Sequence, residues 1–183
     1  MFARTPRLLL RPGWGEDAPA LREAIADRRI VRNLAQAPWP YTLADAEAFL
    51  ARERRPGEPA CLVFLRTGAA PRLIGGIGLA RNSAGELELG YWLSPPHWGH
   101  GFATEAGRAM VAAARDALRA PRLVAGHFLD NPASGRVLAK LGFRPTGAVA
   151  RRYSAGRGEE APCRAFALEL AAAETDAASA MAA

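Results

Sequence analysis

The sequence predicts an α+β fold of the mixed α/β kind: one central, mostly antiparallel sheet of about seven strands, with helices on both faces. Three observations predict it. Half of the 183 residues are apolar, enough to bury one substantial core. Strand patterns over 60–66, 73–80 and 86–93 follow one another with only short turns between them, which makes an antiparallel meander. Beyond residue 93, strand patterns alternate with helical ones, and such pieces need crossover connections.

The elements run in order. Residues 7–11 read as a short first strand, and 17–29 and 42–54 as helices. Thr42 followed by Asp45 forms a capping box, a hydroxyl at the cap with an acid three residues on. Pro38-Trp39-Pro40-Tyr41 between those helices is held out of helix by its prolines. Turns at 68–71 and 82–85 divide the meander. In its third strand Leu87, Leu89, Tyr91 and Leu93 face one way, and Glu86, Glu88, Gly90 and Trp92 the other. Gly90 inside the strand predicts a bulge or a close approach by ligand or backbone. A helix over 103–119 carries Ala106, Gly107, Met110, Val111, Ala114, Ala117 and Leu118 on one stripe. A strand over 122–128 leads to Asn131-Pro132, a capping side chain followed by proline in the first turn. That helix stops at Gly142-Phe143. Strands over 144–153 and 163–170 close the fold, which gives a single domain over 1–170 and an alanine-rich tail over 171–183.

Composition excludes several classes. Net charge is +6, yet the basic residues are scattered among acids, and no run exceeds a pair such as Arg151-Arg152. No basic stripe for nucleic acid is present. Cys61 and Cys163 have no Cys or His neighbour at ligand spacing, so they read as reduced, buried thiols, and no metal site is expected. The amino terminus lacks a signal-like apolar core and no run is long enough to span a membrane. A cytoplasmic protein is expected.

The chemistry-bearing segment is Trp98-Gly99-His100-Gly101-Phe102-Ala103-Thr104-Glu105-Ala106. Strand, proline stop, glycine turn and helix follow one another, so unpaired N–H groups at 99–104 can cradle a phosphate. A dinucleotide fingerprint would need glycine at 104, where Thr104 stands, and no Gly-Lys-Ser/Thr of a nucleotide-triphosphate loop follows. Asn131, read alone, is a helix cap, and Ser134 falls on the first turn behind it.

Taken together, this turn and Asn131-x-x-Ser134-x-x-Val137-Leu138-x-Lys140-Leu141-Gly142-Phe143 resemble the GNAT acetyltransferase superfamily. The ribosomal-protein-alanine N-acetyltransferase-like branch is the closer likeness. Thr5-Pro6-Arg7-Leu8-Leu9-Leu10-Arg11, Pro38-Trp39-Pro40-Tyr41-Thr42 and Glu88-Leu89-Gly90-Tyr91-Trp92-Leu93 match that branch. The resemblance implies the GNAT fold and acetyl-CoA as cofactor. It places the pyrophosphate on Trp98, Gly99, His100, Gly101, Phe102, Ala103 and Thr104, with His100 where the family usually keeps a Lys or Arg. Pantetheine would lie between the splayed fourth and fifth strands of the family, bonded by backbone at Trp92, Leu93 and Ser94 and touched by Asn131. The Leu93 N–H would polarise the thioester, and Ser134 would meet the leaving sulfur.

The implied reaction is acetyl transfer to a primary amine, a protein N-terminus or a small amine, by direct attack in a ternary complex. Glu88 is the general-base candidate; the alternative is a strand carboxylate paired with an arginine. Tyr153 and His127 are further candidates, and Trp39, Tyr41 and Trp92 would wall the acceptor pocket. Acceptor choice is expected from loops 38–42 and 151–160, and dimers are common in the family. The competing reading is a non-catalytic acyl-CoA-binding regulatory module.

Overall fold

A computed structural model describes residues 1–170; the alanine-rich tail over 171–183 lies outside the described residues. In chain order the elements are β1 (Ala3–Arg4), β2 (Leu8–Arg11), α1 (Ala18–Ile25), α2 (Arg28–Val31), α3 (Leu43–Ala51), β3 (Ala60–Leu65), β4 (Arg72–Arg81), β5 (Leu87–Leu93), α4 (Phe102–Asp116), β6 (Arg122–Phe128), α5 (Pro132–Lys140), β7 (Arg144–Ser154) and β8 (Glu159–Glu169). They form one eight-stranded sheet in the order β1-β2-β3-β4-β5-β6-β8-β7. All neighbours are antiparallel except β5 and β6.

The expected architecture of a mixed, largely antiparallel sheet is present, with one strand more than expected. The two-residue β1 is too short to show a pattern. The helix expected over 17–29 is broken. α1 ends at Ile25, and Asp27 leaves helical geometry to cap α2, accepting from the Arg29 N–H at 2.8 Å. The Thr42–Asp45 box is formed in both directions, with Asp45 accepting from the Thr42 N–H at 2.8 Å and Thr42 Oγ1 from the Asp45 N–H at 3.2 Å.

Two apolar layers sandwich the sheet. On one face α4 and α5 bury Phe102, Met110, Leu138 and Leu141 against Leu87, Leu89 and Leu93 of β5. On the other face the α1–α3 layer buries Leu21, Ile25, Ile30 and Val31 against Leu62, Phe64 and Leu73, with Trp92 packed at its margin. The alternation along β5 therefore sends its leucines and Tyr91 to one layer, and Glu88, Gly90 and Trp92 to the other.

β4 and β5 pair without interruption from Arg81↔Leu87 to Gly75↔Leu93, so of the two alternatives expected at Gly90, a bulge or a close approach, the bulge is absent. A side chain at Gly90 would meet nothing within 4 Å. The glycine faces open space instead. Nearby, Gly76 has a packing reason, because a Cβ there would lie 2.7 Å from Trp92 Nε1. Its absence lets the indole lie on β4.

Candidate active site

β5 and β6 run side by side in parallel but share one registered pair, Glu88↔Val124. Beyond it the strands splay. A cleft with a cavity of about 440 Å³ opens there, and both sheet faces and the N-termini of α4 and α5 line it.

Register decides which backbone groups face that gap. At the two ends of the β4–β5 ladder, Ser94 N–H donates to Ile74 O at 2.8 Å and Asn82 N–H to Glu86 O at 2.9 Å. In an antiparallel pair, bonded and non-bonded positions alternate. The peptide groups of Glu88, Gly90, Trp92 and Ser94 thus point at β4, and those of Tyr91 and Leu93 point into the gap. Leu93 O already accepts from Trp98 Nε1 at 2.7 Å. That leaves the N–H of Leu93 and both peptide groups of Tyr91 as an open strand edge. The backbone of Trp92 and Ser94, expected to bond pantetheine, is committed to β4, and Ser94 is not on the cleft.

The glycine turn has the expected form. Gly99 and Gly101 take φ of +78° and +79°, a conformation other residues adopt at a cost. The first backbone bond into α4 is Glu105 N–H to Gly101 O at 3.0 Å. The N–H groups of Phe102, Ala103 and Thr104 consequently have no helical partner. Trp98, Gly99, Gly101, Phe102, Ala103 and Thr104 all line the cleft. His100 does not. Its ring turns away, 5.7 Å from Phe102 in a stacked pair, with Nδ1 2.7 Å from Trp98 O. Only its backbone belongs to the turn.

The amino-terminal motif explains how that turn is held. Glu105, on the first turn of α4, accepts from Thr5 Oγ1 at 2.6 Å, from Arg7 N–H at 2.9 Å and from Arg7 Nε at 2.7 Å. Arg7 also donates to His100 O at 3.0 Å and sits over the Phe102 ring at 4.5 Å. A permanent cation thus stands behind the loop, supplied from a position 93 residues earlier. Burial pushes the Glu105 carboxyl up, and the Thr5 and Arg7 hydrogen bonds outweigh it, so the group is held below its usual range.

On the α4/α5 face, Asn131 caps α5, accepting from the Ser134 N–H at 3.3 Å, and both residues line the cleft. Ser134 Oγ lies 2.8 Å from Tyr91 Oη, which also reaches Ser134 O at 3.0 Å. Burial pushes the Tyr91 phenol up to about 12, against an opposing hydrogen bond from Ser134. His127 lines the cleft on the same face, with Nδ1 2.8 Å from Phe128 O, so Nδ1 carries the proton and Nε2 is turned toward Gly135. Arg136 and Lys140, one helical turn apart on α5, add positive charge to this wall.

The other face carries Glu88. Both of its oxygens are taken by the Arg152 guanidinium, through Nη1 and, at 3.1 Å, through Nη2. Cys163, whose thiol is pushed up by burial against the opposing charge of Arg152, lies beside this pair. Arg29, Ile30, Asn33, Leu34 and Ala35 close the cleft here; only Arg29 fell within the helix expected over 17–29, and no sequence signal marked 30–35 as a wall of the site. Of the aromatic residues expected at the acceptor, Trp92 lines the cleft, and Trp39 and Tyr41 do not. Tyr41 is 7% exposed in the α1–α3 core, and Trp39 is at the surface. Tyr153, a base candidate, is also at the surface and off the cleft. Loop 38–42 therefore does not border the site, whereas Arg152 from the 151–160 segment does.

Comparison with known families decides what this cleft belongs to. The family described as the acetyltransferase (GNAT) domain matches residues 7–144. The chain belongs to the GNAT acetyltransferase family. As a GNAT protein it is 33% identical over 161 residues, 81% of its length and 85% of the relative's, to the uncharacterized N-acetyltransferase YoaA of Bacillus subtilis. A solved acetyltransferase from Agrobacterium tumefaciens superposes with a TM-score of 0.72 at 27% identity, over 92% of this chain and 94% of that one. The microcin C7 self-immunity acetyltransferase MccE, solved with acetyl-CoA and AMP, shares the fold with a TM-score of 0.76 at 17% identity, over 91% and 94% of the two chains. Acetyl-CoA is the co-substrate of GNAT acetyltransferases, and three observations here fit it: a glycine turn at 99–101 leading into helix-start N–H groups with no helical partner at 102–104, an open strand edge at 91–93, and a cleft joining them. Among the described residues no helix is long and apolar enough to cross a membrane, and no cluster of His, Cys, Asp or Glu could hold a metal ion.

Proposed function

We propose that this acetyltransferase moves the acetyl group of acetyl-CoA onto a primary amine by direct attack in a ternary complex. One observation carries the reading: the splayed β5/β6 cleft presents a phosphate cradle and hydroxyls on one face of the sheet, and a carboxylate on the other. Two reactants can therefore meet through the gap from opposite sides.

When bound, acetyl-CoA supplies the activated thioester. The cradle at Gly99–Thr104 binds its pyrophosphate, and Arg136 and Lys140 add positive charge beside the phosphates. The edge of Tyr91 and Leu93 pairs with the pantetheine amides as an added strand would. The Leu93 N–H donates to the oxyanion that develops on the thioester carbonyl, a donor of the kind whose loss costs about 10²–10³ in rate. Ser134 Oγ faces the sulfur. On the opposite face Trp92, the Gly90 opening and the Arg29–Ala35 wall hold the amine.

The amine must be neutral to attack. Glu88 receives its proton in this reading, and because Arg152 engages both oxygens, that transfer requires the pair to open or one water to intervene. The test is acetyl-CoA consumption across small primary amines and N-terminal peptides. Turnover of at least one amine, lowered about 100-fold in Ser134→Ala with acetyl-CoA affinity retained, is expected. Acetyl-CoA binding without turnover of any amine would instead establish a non-catalytic acyl-CoA-binding module.

A further inference from the structure

Resting on the assignment of Ser134 to the leaving sulfur, we propose that Tyr91 is a positioning residue: its phenol sets the direction of the Ser134 hydroxyl hydrogen and thereby stabilises the departing CoA thiolate.

Tyr91 belongs by alternation to the leucine stripe of β5, and its ring packs against the α4/α5 core. A leucine would fill such a position. The hydroxyl is what distinguishes it, and a partly buried phenol still needs a polar partner. It finds two on one residue, Ser134 Oγ at 2.8 Å and Ser134 O at 3.0 Å. Both residues line the cleft, at the end where the β5 edge is open.

The phenol and the serine hydroxyl have one hydrogen each. Two arrangements satisfy the geometry. In the first, Tyr91 donates to the Ser134 carbonyl and Ser134 donates to the phenol oxygen, so no hydrogen faces the cleft. In the second, Tyr91 donates to Ser134 Oγ, and the serine hydrogen is free to point at a sulfur. Negative charge in the cleft favours the second, because it alone presents a donor. The change is a rotation of two hydroxyls and transfers no proton. As the C–S bond breaks, its electron pair stays on sulfur, and the Ser134 hydrogen is shared with it. The proton lost by the attacking amine leaves by the opposite face. With its phenol pushed up to about 12, Tyr91 remains a neutral donor across the working pH range.

A phenylalanine at 91 keeps the ring and loses only this hydroxyl. Ser134 Oγ–H would then donate to a carbonyl or water, with nothing to aim it. A purely structural tyrosine would leave the acid–base chemistry of the bound thiol untouched, and that difference makes the proposal testable without knowing the acceptor.

The experiment titrates the thiol of CoA bound to the full-length protein by its ultraviolet thiolate absorbance. The complex with desulfo-CoA serves as the blank, which removes Cys61, Cys163 and the tyrosines. In the unmodified protein the bound thiol is expected to titrate below free CoA. Tyr91→Phe is expected to raise it by about one unit, a tenfold weaker preference for thiolate. Ser134→Ala is expected to raise it at least as far, and the double variant no further. Desulfo-CoA affinity should be equal in all four, showing an intact site. A shift in Ser134→Ala but none in Tyr91→Phe overturns the role of Tyr91 and leaves the Ser134 reading standing. No shift in either, or additive shifts in the double variant, overturns the coupling through Ser134 itself.

Discussion

Replacement of Gly101 by aspartate separates the anion cradle from the stability of the loop that forms it. Gly101 sits at φ +79° immediately before α4, and a Cβ there meets only Arg7 Nη2, at 3.6 Å. Space is therefore not the obstacle. Alanine takes on the left-handed conformation at a cost of about 1–2 kcal/mol and aspartate at somewhat less, so both variants should unfold with lowered stability, Gly101→Asp no more so than Gly101→Ala. Charge is what differs. A carboxylate at about 6 Å from a phosphate, at an effective dielectric of about 40, is repelled by about 1.4 kcal/mol per unit charge. A pyrophosphate with about two charges gives about 3 kcal/mol, or about 100-fold in affinity. The assay is calorimetric titration with CoA for both variants at low and high salt. Gly101→Asp is expected to bind about 100-fold more weakly than Gly101→Ala, with the gap shrinking as salt screens the repulsion. A gap of under threefold at low salt would refute the placement of the pyrophosphate at this turn.

Other positions give sharper contrasts between the two faces. Gly90→Val adds a side chain to open space, so stability should change by no more than about 0.5 kcal/mol, CoA affinity should hold, and kcat/KM for the acceptor amine should fall about tenfold or more, read by steady-state kinetics. Gly156→Ala drives a Cβ into Val31 O, where the β7–β8 turn meets the segment proposed to wall the acceptor; loss of about 2–3 kcal/mol in denaturant unfolding and a raised acceptor KM are expected. For Glu105, a folded value below the unfolded one means that its contribution is present above about pH 4.5 and is lost as pH falls through the folded value. Glu105→Gln should accordingly lower stability by about 1 kcal/mol at neutral pH and flatten the acid limb of the stability–pH curve, measured by thermal unfolding.

Much of this was legible in the sequence because its signals are short-range. The Thr42–Asp45 box, the Asn131 cap and the turn glycines at 99 and 101 each involve residues within four positions of one another, where backbone geometry leaves few alternatives. Strand alternation placed Glu88, Gly90 and Trp92 on one face for the same reason. The break at 26–27 was not read from the sequence, since Ala26 and Asp27 can both continue a helix; the structure shows it in the extended backbone of Asp27 and in the capping bond from Arg29. Trp39 and Tyr41 illustrate the opposite error: aromatic residues beside prolines suggest a pocket wall, but apolar area near the core is buried wherever helices leave room, and Tyr41 went inward.

Local pattern, then, determined most of the elements, the face each β5 side chain takes and the glycine turn before α4, because those follow from periods of 2.0 and 3.6 residues and from left-handed glycines. Tertiary structure decided the rest. Whether the N–H of Trp92 or of Leu93 is free depends on the register with β4, which only the partner strand sets. The pairing of Glu88 with Arg152, of Tyr91 with Ser134 and of Glu105 with Arg7 joins residues 64, 43 and 98 positions apart. At such separations the sequence carries no distance information, and the contact exists because the sheet order and the splay of β5 from β6 bring those chains together.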